Sequence, residues 1–349
     1  GDPASLRKIR GGEYRLTLPN GRRYRFGTQG KLLEVADRHG NAITLSYAGD
    51  RLVRLDHSNG VYLVLAYNGS GYLDRVEDSF GNSVRYNYDG AGHLIELTTA
   101  DGRVVDYDYK SNGDPAGKHA LTEVDLPGDV VHSFTYDANG RLASRTKAAS
   151  SITYAYEQGE IISTDGEGNP SALAFNHFGL LSRVTHPEGG ITRLAYDADH
   201  RNISTTGPDG TTLRYSYSAE GNLRRLVNQN GEEWTFEYGP YGQVARTVRP
   251  NGSFTRVSYD INGYPEWIQF PDGSKEHFQF DGQGRLVQQV DPQGNTTTTS
   301  YNAAGEVDTV VAPDDGTRSF TWNAKRRLTK ATNAEGDTEL GYDDEGRLT

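Results

Sequence analysis

The side chains with chemical potential in this chain are carboxylates, histidines and aromatics, and none of these sets is gathered in one place. Asp89, Asp137, Asp197, Asp260, Asp281 and Asp343 each follow directly on an aromatic residue and open a turn. Calcium needs six to eight oxygens converging on one point. Single aspartates a repeat apart do not supply that, so their chemistry is expected to be local, a carboxylate accepting backbone N–H groups across its own turn. The nine histidines are scattered, and His177, His186 and His200, the closest in sequence, lack the short spacing of a metal-ligand set. Glu232-Glu233 and Asp314-Asp315 are adjacent pairs near turns. Neighbours on a strand point to opposite faces, which makes them solvated charges instead of an acid/base couple. No Gly-x-Ser-x-Gly elbow occurs, and the absence of cysteine rules out disulfides and thiolate metal sites. The expectation is a non-enzymatic chain with no catalytic residue, no cofactor and no metal.

The aromatics are different, because they keep time. Phe175, Tyr196, Tyr217, Tyr238, Tyr259, Phe280, Tyr301 and Trp322 are each 21 residues apart, and Tyr342 follows. Upstream, Phe26, Tyr47, Tyr67, Tyr88 and Tyr109 keep gaps of 20 or 21 before a gap of 27 to Tyr136. A second register of 21 runs through Gly168, Gly189, Gly210, Gly231, Gly252, Gly273 and Gly294. A fixed period means one supersecondary unit copied many times. These aromatics are expected to be structural, zipping neighbouring units through cross-strand pairs. Glycan stacking is the competing role for such a ladder.

Within a unit, Trp234, Phe236 and Tyr238 alternate as in a half-buried strand. One turn class reads Tyr136-Asp137-Ala138-Asn139-Gly140; the other reads Pro208-Asp209-Gly210 or Asp291-Pro292-Gln293-Gly294. Proline sets the φ of the first corner and glycine accepts a positive φ after it. Each unit is therefore one β-hairpin, and about sixteen units predict roughly thirty-two strands at ~4.8 Å spacing. A strip of that length twists and coils, and one of its faces is apolar. Residues 1–13 show no unit and are taken as a lead-in. Residues 14–349 are expected to form one continuous strip with a loop insertion at about 110–132, a place suited to docking or to a tolerated surface loop.

The bulk numbers agree with an array that works as a surface or a container. The net charge of −11 disfavours nucleic-acid binding. No run of 18 apolar residues is present, so no membrane-spanning helix is expected. The chain has no methionine and stops within a unit at Gly346-Arg347-Leu348-Thr349, which reads as a piece of a larger protein.

Tyr136-Asp137-Ala138-Asn139-Gly140-Arg141-Leu142 and Tyr342-Asp343-Asp344-Glu345-Gly346-Arg347-Leu348, with the variants Phe280-Asp281-Gly282-Gln283-Gly284-Arg285-Leu286 and Tyr301-Asn302-Ala303-Ala304-Gly305-Glu306-Val307, resemble the YD repeat of Rhs proteins. That family includes the BC components of Tc insecticidal toxins, bacterial wall-associated proteins and animal teneurins. The resemblance covers about residues 14–349 and implies an all-β spiralling antiparallel sheet that is part of a hollow shell. It further implies a toxin cargo domain of the parent chain as partner, together with secretion-apparatus or chaperone proteins. Delivery would be by type VI secretion or a Tc-like device, and the protein would be secreted or delivered from a bacterial cell. An extracellular adhesion or carbohydrate-binding array is the alternative. Family shells cleave themselves at paired Asp-Pro-x-Gly motifs; here Asp291-Pro292-Gln293-Gly294 is a near match, and both it and Pro313-Asp314-Asp315-Gly316 sit where ordinary repeat turns sit.

Overall fold

Turn signals recur every ten or eleven residues, and the runs between them are rich in Thr, Val and Tyr. Such runs suit a pleated surface and are too short for anything else. A computed structural model describes residues 4–110, 119–128, 130–148, 150–314, 316–343 and 347–349. Its described residues form a single antiparallel sheet of 33 strands. Each strand pairs with its neighbours in sequence, as in Thr212–Tyr217 with Leu223–Val227 and then Glu233–Tyr238. The first strand, Ser5–Lys8, pairs only with Tyr14–Thr17, and the last, Gly336–Glu339, only with Leu328–Asn333, so the sheet is open at both ends. Among the described residues the one helical element is a 3-10 turn at Arg10–Gly12.

Two expectations meet a more detailed picture. The lead-in holds Ser5–Lys8, a strand of the same sheet, joined by a turn in which Gly11 takes φ +85°. Within 110–132, Leu121–Leu126 and the start of Val130–Tyr136 are ladder strands. The rest of that insertion, 111–118, lies outside the described residues.

The meander places all turns on two opposite rims. One rim carries the Tyr-Asp class, including 137–141, 197–201 and 281–285; the other carries the Pro-Gly class, including 207–211 and 291–295. There is almost no core: among the described residues, Ala36 and Val105 are the buried hydrophobic ones. The accessible surface is 21314 Å² for 38.4 kDa, against about 14,000 Å² for a compact monomer of that mass. A single-layer sheet explains the excess, since only one neighbour on each side covers each strand.

Candidate functional site: the locked rim and the coil seam

At the Tyr-Asp rim the ladder slips by one residue just before the aromatic, as between Ala195 and Tyr196, Ser216 and Tyr217, and Glu237 and Tyr238. A bulge bends its strand and re-aims the side chain that follows. Here it turns the aromatic toward the preceding strand, where pairing has already stopped. The ladder between Asn202–Thr206 and Thr212–Tyr217, for example, extends only as far as Ser204↔Arg214, which leaves the Asn202 carbonyl open. Tyr217 Oη donates to that carbonyl at 2.7 Å. The same bond recurs, from Tyr47 to Leu32, Tyr67 to Leu52, Tyr136 to Leu121, Tyr196 to Leu181, Tyr238 to Leu223, Tyr259 to Val244, Tyr301 to Leu286 and Tyr342 to Leu328. Trp322 makes it with its indole N–H to Val307 at 2.8 Å. Tyr156 makes it to Leu142 at 3.0 Å, although its irregular spacing kept it out of the beat read from the sequence. Phe175 and Phe280 have no donor; Phe280 instead stacks on Tyr264 with centroids 4.6 Å apart. Tyr88 stacks on Tyr72 and Tyr109 on His93. Burial pushes the phenols of Tyr136, Tyr217, Tyr238, Tyr259 and Tyr301 above their ordinary value, which keeps them neutral donors.

The turn aspartates are committed locally. Asp137 Oδ1 accepts the N–H groups of Asn139 and Arg141 at 2.9 Å each, and Oδ2 holds the Arg141 guanidinium. Asp197 with Arg201, Asp281 with Arg285 and Asp343 with Arg347 repeat the arrangement. Asp291 does the same with the N–H groups of Gln293 and Asn295, an ordinary turn between paired strands. Glu233 pairs with Arg225 and Glu232 with the Asn228 amide, so the adjacent carboxylates part. His186 bonds Thr192, while His177 and His200 flank Phe178. Among the described residues no three His, Cys, Asp or Glu side chains form a group suited to a metal ion. No helix there is long and apolar enough to cross a membrane.

Sequence patterns gave no sign of the second feature, a seam. The strip curls until its early Pro-Gly rim meets its late Tyr-Asp rim. Arg38 Nη2 donates to the Gly263 carbonyl at 2.8 Å across 225 residues, and its guanidinium lies 5.0 Å from the centre of the Tyr241 ring. Next to it, His39 stacks on Tyr264 with centroids 3.8 Å apart. Further along, Arg326 Nη2 donates to the Asn59 carbonyl at 2.9 Å while Nε pairs with Glu306 at 3.1 Å. A polar cleft of about 1110 Å³ runs between these contacts, bounded by His57 and Asn59 on one rim and by Arg285 and Glu306 on the other. Gly263 has φ +78°, and a Cβ there would lie 2.5 Å from Arg38 Nη1 and 2.8 Å from the Tyr241 ring, so this close approach requires glycine. Arg38 Nε donates to His39 Nε2 at 2.9 Å, which fixes the ring as neutral. Burial, and then the Arg38 charge, lower the His39 pKa from 6.5, against the opposing pull of Asp37 and Asp260.

Two family models match the chain, the teneurin YD-shell over residues 179–349 and the RHS repeat over residues 67–109. No curated protein matches it by sequence. Among solved structures it is similar to TcdB2-TccC3-TEV, with TM-score 0.60 and 14% identity over 97% of this chain and 25% of that one. TcdB2-TccC3 gives 0.58 and 13% over 99% and 28%. A Photorhabdus luminescens Tc holotoxin pore with a TccC3 variant gives 0.55 and 12%, again over 99% and 28%. The chain thus spans about a quarter of the length of these structures, and at such identities the likeness is one of fold. With the hairpin beat, the recurring Tyr-Asp turns and these two matches together, the chain belongs to the Rhs/YD-repeat family.

Proposed function

We propose that this chain is a wall segment of a hollow YD-repeat shell, which encloses a toxin domain of its parent chain and holds it apart from the producing cell until delivery. The seam is the observation that supports this most directly. A strip whose rim seats on its own rim 225 residues later is a wall that can surround a space. The thin, half-exposed apolar face supports the reading as well, because an uncovered sheet face of this size calls for something to pack against or enclose. The locked aromatics have a mechanical role in it: each side-chain donor ties the open ends of two consecutive strands together, so the wall stays continuous at its rim. The matched families are structural repeats, consistent with the chain performing no chemistry of its own. Type VI secretion or a Tc-like device would carry the shell out, and secretion-apparatus or chaperone proteins would be its further partners.

Limited proteolysis of the parent protein with its downstream domain tests the proposal. The cargo is expected to resist protease while the wall is intact, and to be cleaved when Arg38→Ala and Arg326→Ala open the seam. Cargo cut equally fast in both forms would end the container proposal. Binding of the intact strip to a glycan array would support the adhesion alternative.

A further inference from the structure

The repeat supplies its own internal comparison, and two Tyr-Asp turns depart from it, the one opened by Asp260, which has Tyr264 in the fourth place after it, and the one opened by Asp89. In four such turns the aspartate that opens the turn grips an arginine four residues on: Asp137 with Arg141, Asp197 with Arg201, Asp281 with Arg285 and Asp343 with Arg347. In the turn opened by Asp89 the corresponding residue is His93. Asp89 still caps its turn, accepting the N–H groups of Ala91 and His93 at 2.8 and 2.9 Å. Its second oxygen, Oδ2, lies 2.7 Å from His93 Nδ1. A carboxylate there fixes the tautomer with the proton on Nδ1 and leaves the Nε2 lone pair pointing away. That lone pair points at the Nδ1 of His119. The His93 ring is itself clamped, stacked on Tyr109 with centroids 4.6 Å and planes 15° apart.

His119 stands where the chain re-enters the sheet after the 27-residue gap, just before the strand Leu121–Leu126. Its backbone is left-handed, with φ +68°. A residue with a Cβ rarely adopts that conformation, and where one does it merits a functional explanation. So arginine gives way to histidine in the turn beside the insertion, and the insertion returns a second histidine to the same point. An arginine at 93 could never ligate a metal, because its guanidinium stays protonated.

We propose that His93 Nε2 and His119 Nδ1 are two ligands of a transition-metal ion of the Zn²⁺, Ni²⁺ or Cu²⁺ class. Asp89 is a positioning residue that holds the His93 ring through its other nitrogen. Carboxylate-oriented imidazoles are the usual arrangement around such ions, and imidazole nitrogen suits these metals over Mg²⁺ or Ca²⁺. Water completes the coordination. The His93 and His119 ring nitrogens that face each other would then separate by a few tenths of an ångström or more and admit the ion between them. Functionally, the ion staples the base of the insertion to the neighbouring turn, so the loop is closed where the 21-residue beat is interrupted.

Titration of the intact chain with Cu²⁺ and with Zn²⁺, followed by calorimetry and, for Cu²⁺, by electron paramagnetic resonance, tests this. One equivalent is expected to bind with a spectrum of two equatorial nitrogens. His93→Arg is the informative variant, because it installs the residue that four other turns already carry and so preserves the fold. It is expected to weaken binding by roughly tenfold or more, and His119→Ala by a similar factor, while the circular dichroism of both stays that of the parent. Mg²⁺ and Ca²⁺ are expected not to bind there. Binding unchanged in both variants, or a one-nitrogen spectrum in the parent chain, would overturn the assignment and leave the pair as a plain imidazole–imidazole hydrogen bond.

Discussion

The locked rim and the coil seam hold the same strip by opposite means. Locks join residues 14 or 15 apart and recur from Tyr47 to Tyr342. Seam contacts join residues 225 to 267 apart and rest on a few side chains, with Arg38, His39 and Arg326 foremost. A lock closes a short loop and loses little chain entropy, whereas a seam contact closes a loop more than ten times longer and has few companions. Breaking one lock therefore leaves its neighbours to carry the wall, and breaking one seam contact frees a whole coil edge. The wall is expected to be thermodynamically robust and its closure marginal, so that the coil can open without the sheet unfolding.

The largest effect should come from removing locks together. Replacing Tyr196, Tyr217, Tyr238 and Tyr259 by Phe keeps the rings and deletes four donors, each worth about 0.5–1.5 kcal/mol and each leaving a half-buried carbonyl unpaired. A loss of ~2–6 kcal/mol is expected in urea unfolding followed by circular dichroism. Alkali should act through the same groups. The folded pKa values of Tyr136, Tyr217, Tyr238, Tyr259 and Tyr301 are raised above 10.0, through burial first. Their contribution is thus complete below pH 10 and disappears as pH climbs beyond it. Sheet signal that persists unchanged well above pH 11 would contradict the lock.

Seam variants should behave differently. Arg38→Ala removes a hydrogen bond to a carbonyl and a cation–π contact, together about 1–3 kcal/mol of closure. Unfolding of the sheet should barely change, while small-angle scattering shows a larger radius of gyration. Acid should mimic the variant. The closed seam lowers the His39 pKa below 6.5, chiefly by burial, so the closed form binds fewer protons than the open one. Closure is then strongest above pH 6.5 and weakens as pH falls through and below that value. Arg38 and Asp37 on its own turn and Asp260 across the seam set that balance. His39→Phe, which keeps an aromatic against Tyr264, should abolish the expansion between pH 7.5 and 5.5.

The difference between the two regions also explains what was legible in the residues. The hairpins, both turn classes and the fifteen aromatics of the beat follow from local spacing, because each is decided within one 21-residue unit. Tyr156 escapes it for a local reason: the turns on either side are two-residue loops, flanked by the pairs Lys147↔Ser150 and Glu157↔Glu160. Short loops compress the flanking gaps to 20 and 19 and break the beat without breaking the lock. The seam leaves no sequence trace at all. Its 225-residue offset is set by curvature accumulated over many bulges, and Arg38 stands in a turn of unremarkable composition. The His93–His119 pair is hidden for a related reason, since 26 residues of irregular spacing separate its members.

The smallest predicted effect tests whether a short loop can be improved where the beat fails. Ala148 has φ +48° in the two-residue loop after Leu142–Lys147. Its counterpart in the loop between Ala48 and Arg51 is Gly49, with φ +59°. Two-residue hairpin loops want positive φ at their first position, and an alanine there carries about 1–2 kcal/mol of steric cost. Glycine removes that cost and adds about 0.5–1 kcal/mol of backbone entropy lost on folding. Ala148→Gly is therefore expected to stabilise the wall by a few tenths of a kcal/mol up to about 1. Gly49→Ala should cost the same amount, because a Cβ at Gly49 meets nothing within 4 Å and only the backbone term remains. Equal and opposite shifts in urea midpoints would mean that the irregular stretch is built by the same rules as the regular one. Destabilisation by Ala148→Gly would mean that its alanine packs against something the regular turns lack.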